Sequence, residues 1–383
     1  MASSTEPSAL RGFALRADSA HSCTDGTRRW PVIDGIAFAR VGRESLAADA
    51  LAALDAGDRI EALAHLLGDR DDWDRTTAPT LDERRAIARD IDTLTLRDAM
   101  QALGFGGVAT YFTHRWSDPT FIAGLGLIAA HRPRRARRSF EVACGIGHYL
   151  RELARVGVDA VGGDVVFAKL WLARHFIAPS ARLVCFDAAT SWPIESAAYD
   201  FVHVHDALYF LPRKEHVARE MRRIVNAGGT IVVSHAHNAT VDNYSAGAPL
   251  DREGYAALFP SAVFYDDRAL ADAVVCGAVP IAGALETTPA FAFVDGPAAS
   301  DAHACADDVT VPTFGVPLVR NPLYVADRGT RIEWPSQRYE REYAALATYP
   351  LVTTAPAVAT MSHDARILAM ARTRELVALP ERW

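Results

Sequence analysis

The stretch from Ser139 to Leu150, SFEVACGIGHYL, constrains the fold of this chain more than any other part. Its first residues predict the end of a buried β-strand, Ala143 to Gly147 predict a turn of small residues, and His148 begins a predicted helix. A strand, a small-residue turn and a helix in this order bring backbone N–H groups close to a ligand. The helix N-terminus adds partial positive charge. Two glycines alone are weak evidence, because such pairs also occur in ordinary tight turns.

From Ser139 onward the sequence alternates predicted strands and helices. Strands are predicted over about 139–143, 159–163, 181–186, 201–205 and 230–236, and helices over about 147–156, 167–176 and 213–225. The strands are continuous apolar runs, as expected where helices cover both faces of a parallel sheet. This pattern predicts an α/β fold with a doubly wound, mostly parallel sheet.

Four sequence blocks follow one another within this region: EVACGIG (141–147), GGDVVFAKLWLAR (162–174), CFDAATSWPI (185–194) and YDFVHVHDALYFLP (199–212). In order and spacing they resemble the motifs of class I S-adenosylmethionine-dependent methyltransferases. The resemblance extends from about Phe140 to Asn238, with Ala143 where that family usually has glycine. It implies a Rossmann-like, seven-stranded sheet and S-adenosylmethionine as co-substrate.

The residues themselves favour the same type of ligand. Asp164 lies about twenty residues past the glycine turn, where a carboxylate can accept both ribose hydroxyl hydrogens. Leu150 stands where a dinucleotide-binding turn would need a third glycine, which favours a ligand without a pyrophosphate. The resemblance places the adenine near Asp187 and Ala188. The full set of expected cofactor-binding residues is Glu141, Ala143, Cys144, Gly145, Gly147, Asp164, Val165, Asp187, Ala188, His205 and Tyr111.

Polar side chains at the ends of the fourth and fifth predicted strands predict the acceptor side of the site. Because these strands are neighbours in such a sheet, their carboxyl ends should meet at the edge where ligands bind. The candidate catalytic residues are His205, Asp206, His237 and Tyr209. They could do acid–base or orienting work, or they could merely line the pocket. A divalent metal on Asp206, His237 and Asn238 is a further alternative, but we expect no metal.

The remaining segments divide the chain into four predicted regions: a tail and β-hairpin (1–44), a helical cap (45–117), the cofactor-binding core (118–240) and a C-terminal completion of the sheet with a substrate or oligomer extension (241–383). WPVIDGI (30–36) resembles the closing motif of small zinc-ribbon methyltransferase adaptors. Only Cys23 precedes it, so we expect this segment to pack without a metal. One helix is predicted from Leu81 to about Leu103, a hairpin around Asp327–Gly329, and mostly helix over 362–379.

Composition excludes several classes of partner. A net charge of −7 and the lack of an aromatic–basic groove argue against nucleic acid. Five cysteines without a CxxC pair predict a reducing, cytoplasmic setting, and no apolar run is long enough to predict a membrane span. We therefore expect methylation of a small molecule in specialised metabolism, with a homodimer left open. Two alternatives remain: cyclisation of the aminobutyrate arm of the cofactor, releasing methylthioadenosine, and a non-catalytic cofactor-binding adaptor.

Overall fold

The computed structural model describes residues 8–72, 76–243, 247–306, 309–325 and 330–383. Four short strands come first: β1 (Arg16–Ser19), β2 (Ser22–Thr24), β3 (Arg29–Ile33) and β4 (Ile36–Phe38). They pair antiparallel in sequence order. Asp34 and Gly35 both have positive φ, as the two-residue turn of a tight hairpin requires. The hairpin predicted at this position is therefore confirmed.

Six helices follow before the central sheet: α1 (Glu44–Asp55), α2 (Arg59–Leu66), α3 (Leu81–Asp90), α4 (Leu96–Ala102), α5 (Gly107–His114) and α6 (Pro119–His131). The prediction of one helix from Leu81 to about Leu103 was wrong, because the chain breaks between α3 and α4. Thr95 and Asp98 form a reciprocal capping box that begins α4 as a separate helix.

The central sheet is built by alternating strands and helices: β5 (Arg138–Val142), α7 (His148–Arg155), β6 (Asp159–Asp164), α8 (Phe167–Leu172), β7 (Arg182–Cys185), β8 (Tyr199–His205), α9 (Lys214–Ile224) and β9 (Val225–His237). A single π-helical turn, Ala173–Ile177, extends α8. The five strands are parallel to one another. Their side chains are almost all buried, which explains their continuous apolar sequences.

The chain then adds α10 (Arg252–Leu258), β10 (Val263–Asp266), α11 (Asp267–Cys276) and β11 (Ala290–Asp295). The strand order is β1-β2-β3-β4-β7-β6-β5-β8-β9-β11-β10, with β11 antiparallel to both its neighbours. The last seven strands form the predicted doubly wound sheet, so the α/β fold class is confirmed. The strand count needs correction. Because β4 pairs in parallel with β7, the sheet continues to eleven strands. The four-residue strand β10 was not predicted from the sequence.

The C-terminal extension contains β12 (Pro317–Arg320), β13 (Tyr324–Val325), β14 (Arg331–Ile332), α12 (Gln337–Tyr343), β15 (Val358–Thr360), α13 (Ala365–Arg372) and β16 (Leu376–Val377). The predicted hairpin is confirmed by the pairing of β13 with β14, while its turn at Asp327–Gly329 lies outside the described residues. The prediction of helix over 362–379 was too long. After α13 the chain becomes a strand that pairs with β12.

The segment that resembles a zinc-ribbon adaptor is part of the main sheet. Cys23 and Trp30 are directly opposite each other on β2 and β3, and both side chains are almost fully buried. The Trp30 indole donates a hydrogen bond to Asp25. Within the described part of the chain, no helix is both long and apolar enough to cross a membrane.

Candidate functional site

The glycine turn between β5 and α7 has the backbone geometry expected of a ligand-binding turn. Gly145 and Gly147 have φ values of 56° and 86°, in the left-handed region that glycine tolerates best. Ala143 also lies there, with a φ of 54°, which a small side chain can adopt at modest cost. The Cys144 N–H donates to the carbonyl of Gly163 on β6, which joins the turn to the neighbouring strand. The turn therefore lies directly at the carboxyl edge of the sheet.

Asp164, at the end of β6, is tied to this turn. One carboxylate oxygen accepts the Gly145 N–H at 2.9 Å and the other accepts the Val166 N–H at 2.9 Å. The Lys169 ammonium lies 3.7 Å away. A carboxylate oxygen has lone pairs for more than one donor. Asp164 can therefore hold the turn and still accept hydroxyl hydrogens from a ligand.

Glu141 lies on β5, one strand from Asp164. Its side chain is 3% exposed, and its Oε2 has no hydrogen-bond partner among the described residues. Burial raises the pKa of Glu141 well above its usual range, although the charge of Arg115 opposes the rise. A buried oxygen without a donor is costly, so such atoms usually have a partner. Beside the glycine turn, a ligand with N–H groups would supply that partner.

The loop after β7 holds the other residues expected to bind the cofactor. The Asp187 carboxylate accepts the Ala189 N–H at 2.8 Å, and the Trp192 indole donates to the Ala188 carbonyl at 2.9 Å. The Val165 carbonyl accepts a weak hydrogen bond from the Cys185 thiol. These contacts fix the loop beside the end of β6, so the predicted cofactor residues of β5, β6 and β7 occupy adjacent positions along one edge.

A second polar cluster lies at the carboxyl ends of β8 and β9. Asp206 directly follows β8 and has a φ of 52°. Its two oxygens accept hydrogen bonds from the hydroxyls of Tyr111 and Tyr209, each at 2.9 Å. The Arg115 guanidinium lies 3.4 Å from Oδ2. Burial opposes ionisation, but the charges of His235 and Arg115 lower the pKa of Asp206, so the group is an anion at neutral pH.

His235 enters this cluster because β9 contains a bulge. Ala236 pairs with Phe291 and Val233 with Phe293, so two residues of β9 face one residue of β11. His235 has a φ of 50° at this bulge, and a bulge changes the direction of the side chain that it carries. The His235 Nδ1 lies 2.6 Å from Asp267 Oδ2, and its Nε2 lies 4.0 Å from Asp206. Burial lowers the pKa of His235, but these two carboxylates outweigh it and raise the pKa to about 9.

His237 completes the cluster from the end of β9. Its ring stacks on Tyr209, with centroids 3.7 Å apart and planes inclined by 8°. The side chain is 3% exposed, and its Nδ1 has no partner among the described residues. Burial lowers the pKa of His237 to about 4, and the charge of His235 adds to the effect. One ligand atom each from Asp206, His235 and His237 lies within 4.8 Å of the others.

Two residues from the sequence prediction lie elsewhere. His205 stacks on Tyr149, with ring centroids 3.8 Å apart, and both of its ring nitrogens lie within hydrogen-bond distance of His203 and Ser234. Asn238 is fully buried and donates to two backbone carbonyls in the loop before β11. His235, the second histidine of the cluster, was not among the residues predicted from the sequence. Its signal was the HAH alternation at the end of β9.

The C-terminal extension covers this cluster with α12. Burial raises the pKa of Glu342, and the nearby charge of Asp206 adds to the rise. Tyr343 is 4% exposed and experiences the charges of Asp118 and Asp206. The Tyr339 ring contacts His114 of α5, with centroids 6.0 Å apart. The cluster is therefore enclosed between α5 and α12.

Comparison with known proteins gives the class of this core. Residues 140–233 match the family model described as a methyltransferase domain. These residues include the glycine turn, Asp164 and the strands up to β9, so the class I methyltransferase core that the sequence resembles is confirmed for this part of the chain.

A curated relative is the ubiquinone biosynthesis O-methyltransferase of Methylococcus capsulatus, which is 27% identical over 133 residues. The match covers 32% of this chain and 56% of that protein, so the chain spans about half the length of this relative.

Two solved structures resemble parts of the fold. One is a SAM-dependent methyltransferase of Thermotoga maritima described as a possible histamine N-methyltransferase. It has 13% identity and a TM-score of 0.36, and the match covers 48% of this chain and 91% of that one. The other is a TehB-like SAM-dependent methyltransferase of Corynebacterium glutamicum. It has 18% identity and a TM-score of 0.35, and the match covers 46% of this chain and 86% of that one.

Proposed function

We propose that this protein transfers the methyl group of S-adenosylmethionine to a small-molecule acceptor. The observation that carries the proposal is the set of carboxylates along the edge formed by β5, β6 and β7. Glu141 on β5, Asp164 at the end of β6 and Asp187 in the loop after β7 follow one another along adjacent strands beside the glycine turn, and Glu141 keeps an unpartnered oxygen there. An amino-acid arm, a ribose and an adenine joined in one molecule need donors and acceptors in this order.

Each carboxylate has a role in this proposal. Glu141, with the backbone of the glycine turn, would hold the methionine part of the cofactor. Asp164 would accept the ribose hydroxyl hydrogens, since its oxygens have lone pairs beyond those used by Gly145 and Val166. Asp187 and Ala188 would bind the adenine. The bound cofactor supplies an activated methyl group, so the chain has to align the acceptor with it and exclude water.

The acceptor would bind at the second cluster, beside the cofactor. Asp206 follows β8, the strand next to β5, and His235 and His237 lie on β9, one strand further. Arg115 exerts its charge on both Glu141 and Asp206. The cover provided by α12 favours a small acceptor over a polymer. We further propose an oxygen nucleophile, because the curated relative is named as an O-methyltransferase. The five cysteines, all within the described residues, form no disulfide, which supports a reducing, cytoplasmic setting.

Cofactor binding tests this proposal most directly. Isothermal titration of the full chain with S-adenosylmethionine and S-adenosylhomocysteine should show saturable binding of both. Asp164→Ala deletes charge-assisted hydrogen bonds, so it should weaken binding by about 2 kcal/mol, roughly thirtyfold. Asp49→Ala, an exposed substitution on α1, is the matched control and should bind like the wild type. Equal affinity of Asp164→Ala and the wild type would contradict the placement of the cofactor.

Product analysis separates methyl transfer from the alternatives. With an acceptor mixture, methyl transfer releases S-adenosylhomocysteine, whereas cyclisation of the aminobutyrate arm releases methylthioadenosine. Accumulation of methylthioadenosine would replace the proposal by the cyclase alternative. Tight binding of the cofactor without either product, across amine, hydroxyl and thiol acceptors, would favour the adaptor alternative.

A further inference from the structure

We propose that Asp206, His235 and His237 bind one divalent transition-metal ion at the carboxyl ends of β8 and β9. The three residues come from two adjacent parallel strands, and the bulge in β9 brings His235 into the group. The site was not anticipated with this ligand set, since the metal alternative from the sequence used Asn238, whose side-chain amide is committed to backbone carbonyls.

The separations of the three side chains suit a metal ion after a small adjustment. Their ligand atoms lie within 4.8 Å of one another. With metal–ligand bonds of about 2.1 Å in a tetrahedral site, ligand atoms lie about 3.4 Å apart. The cluster therefore needs to contract by about 1.4 Å at its widest, which rotations of the side chains can supply without moving the strands.

The surroundings orient the histidines as metal ligands. Metal-bound histidine usually donates its second ring N–H to a carboxylate or a carbonyl. The His235 Nδ1 lies 2.6 Å from Asp267 Oδ2, which leaves Nε2 directed towards Asp206, and a metal ion that binds Nε2 displaces the proton this ring carries at neutral pH. His237 is only 3% exposed to solvent, and its Nδ1 has no partner among the described residues. Stacking on Tyr209 fixes the plane of this ring.

The local charge also favours a cation. The carboxylates of Asp118 and Glu342 lie near Asp206, Asp267 contacts His235, and Arg115 contacts both Asp118 and Asp206. Arg338 lies 3.6 Å from Glu342, and its own side chain is 62% exposed to solvent. The hydroxyls of Tyr111 and Tyr209 donate to Asp206 and can remain there, because each carboxylate oxygen has a second lone pair.

The donor set indicates the type of ion and the type of further ligand. Two imidazoles and one carboxylate suit zinc, iron, cobalt or nickel better than magnesium or calcium, which prefer oxygen ligands. Three protein ligands leave coordination positions open, as in catalytic zinc sites. If the proposed methyl transfer is correct, an oxygen of the acceptor would occupy an open position, and the ion would select acceptors with a hydroxyl or carboxylate group.

Metal titration of the full chain tests the site without any acceptor. After treatment with a chelator and its removal, isothermal titration with Zn²⁺ should show one ion bound per chain, and Co²⁺ should give the visible absorption of a site with nitrogen ligands. His235→Ala and His237→Ala should each weaken binding at least tenfold, and Asp267→Asn should weaken it about tenfold through the orientation of His235. His363→Ala, an exposed histidine before α13, is the matched control and should bind like the wild type.

Failure of the metal site can be distinguished from failure of the proposed function. Binding of S-adenosylmethionine is measured on the same samples, with circular dichroism as a check of folding. If the cofactor binds but Zn²⁺ binds the wild type no better than His237→Ala, the metal site is wrong and the cluster is an ion pair of His235 with its two carboxylates. If Zn²⁺ binds as expected but the cofactor does not, the metal site stands and the proposed function fails.

Discussion

His235 gives this protein a pH dependence that can be measured without any ligand. The pKa of an unperturbed histidine is 6.5, and Asp206 and Asp267 raise that of His235 to about 9. Because the folded pKa lies above the unfolded one, the protonated ring stabilises the folded chain. This contribution is fully present below about pH 6.5 and is lost as the pH rises through about 9. The difference of about 2.5 pH units corresponds to about 3 kcal/mol.

Substitution of Asp267 by asparagine isolates this effect. The change removes one of the two carboxylates and keeps a side chain of the same shape. Because burial is the largest single influence on the pKa of His235 and the charge of Asp206 alone does not exceed it, most of the stability lost between about pH 6.5 and 9 should disappear. Other buried histidines with lowered pKa values, such as His131 and His237, titrate below this window and do not contribute to it.

The assay is urea unfolding followed by circular dichroism across this pH range, in buffer with a chelator so that no metal competes for the ring. Asp272→Asn, an exposed aspartate on the same helix α11, is the matched control and should follow the wild type. If Asp267→Asn loses as much stability as the wild type between these pH values, or if Asp272→Asn flattens the profile equally, His235 is not charged by its carboxylates.

Two further substitutions test the packing around the site. Arg115→Met removes the guanidinium 3.0 Å from the fully buried Asp118, so it should destabilise the protein by about 3–5 kcal/mol in urea unfolding. An unchanged midpoint would show that Asp118 is not paired. Gly162→Ala would place a Cβ 2.5 Å from Leu150 Cδ1 and should cost about 1–3 kcal/mol. Gly228→Ala, which meets open space, should cost less.

The carboxylates around the glycine turn and the cluster of Asp206, His235 and His237 lie along the same edge of the sheet. Glu141, Asp164 and Asp187, which are proposed to bind the cofactor, lie at the ends of β5, β6 and β7, and Asp206, His235 and His237, which are proposed to face the acceptor, lie at the ends of β8 and β9. Arg115 lies within electrostatic reach of both, since its charge affects Glu141 as well as Asp206. A substitution at Arg115 should therefore change the affinity for cofactor and acceptor together.

The sequence alone determined the parallel core and the positions of the residues proposed to bind the cofactor. The apolar runs, the glycine turn and Asp164 follow one another locally, because a buried parallel strand and its adjoining turn leave a clear pattern in the sequence. The prediction placed Glu141, Gly145 and Asp164 on neighbouring strand ends, and the structure places them there.

Only the tertiary structure decided the composition of the cluster of Asp206, His235 and His237 and the extent of the sheet. The bulge that admits His235 depends on the pairing of β9 with β11, which lies more than fifty residues away along the chain. The cover of α12 and the support of Asp267 are likewise long-range contacts, as is the pairing of β4 with β7. A local pattern cannot encode such contacts, because each depends on which distant surfaces the folded chain brings together.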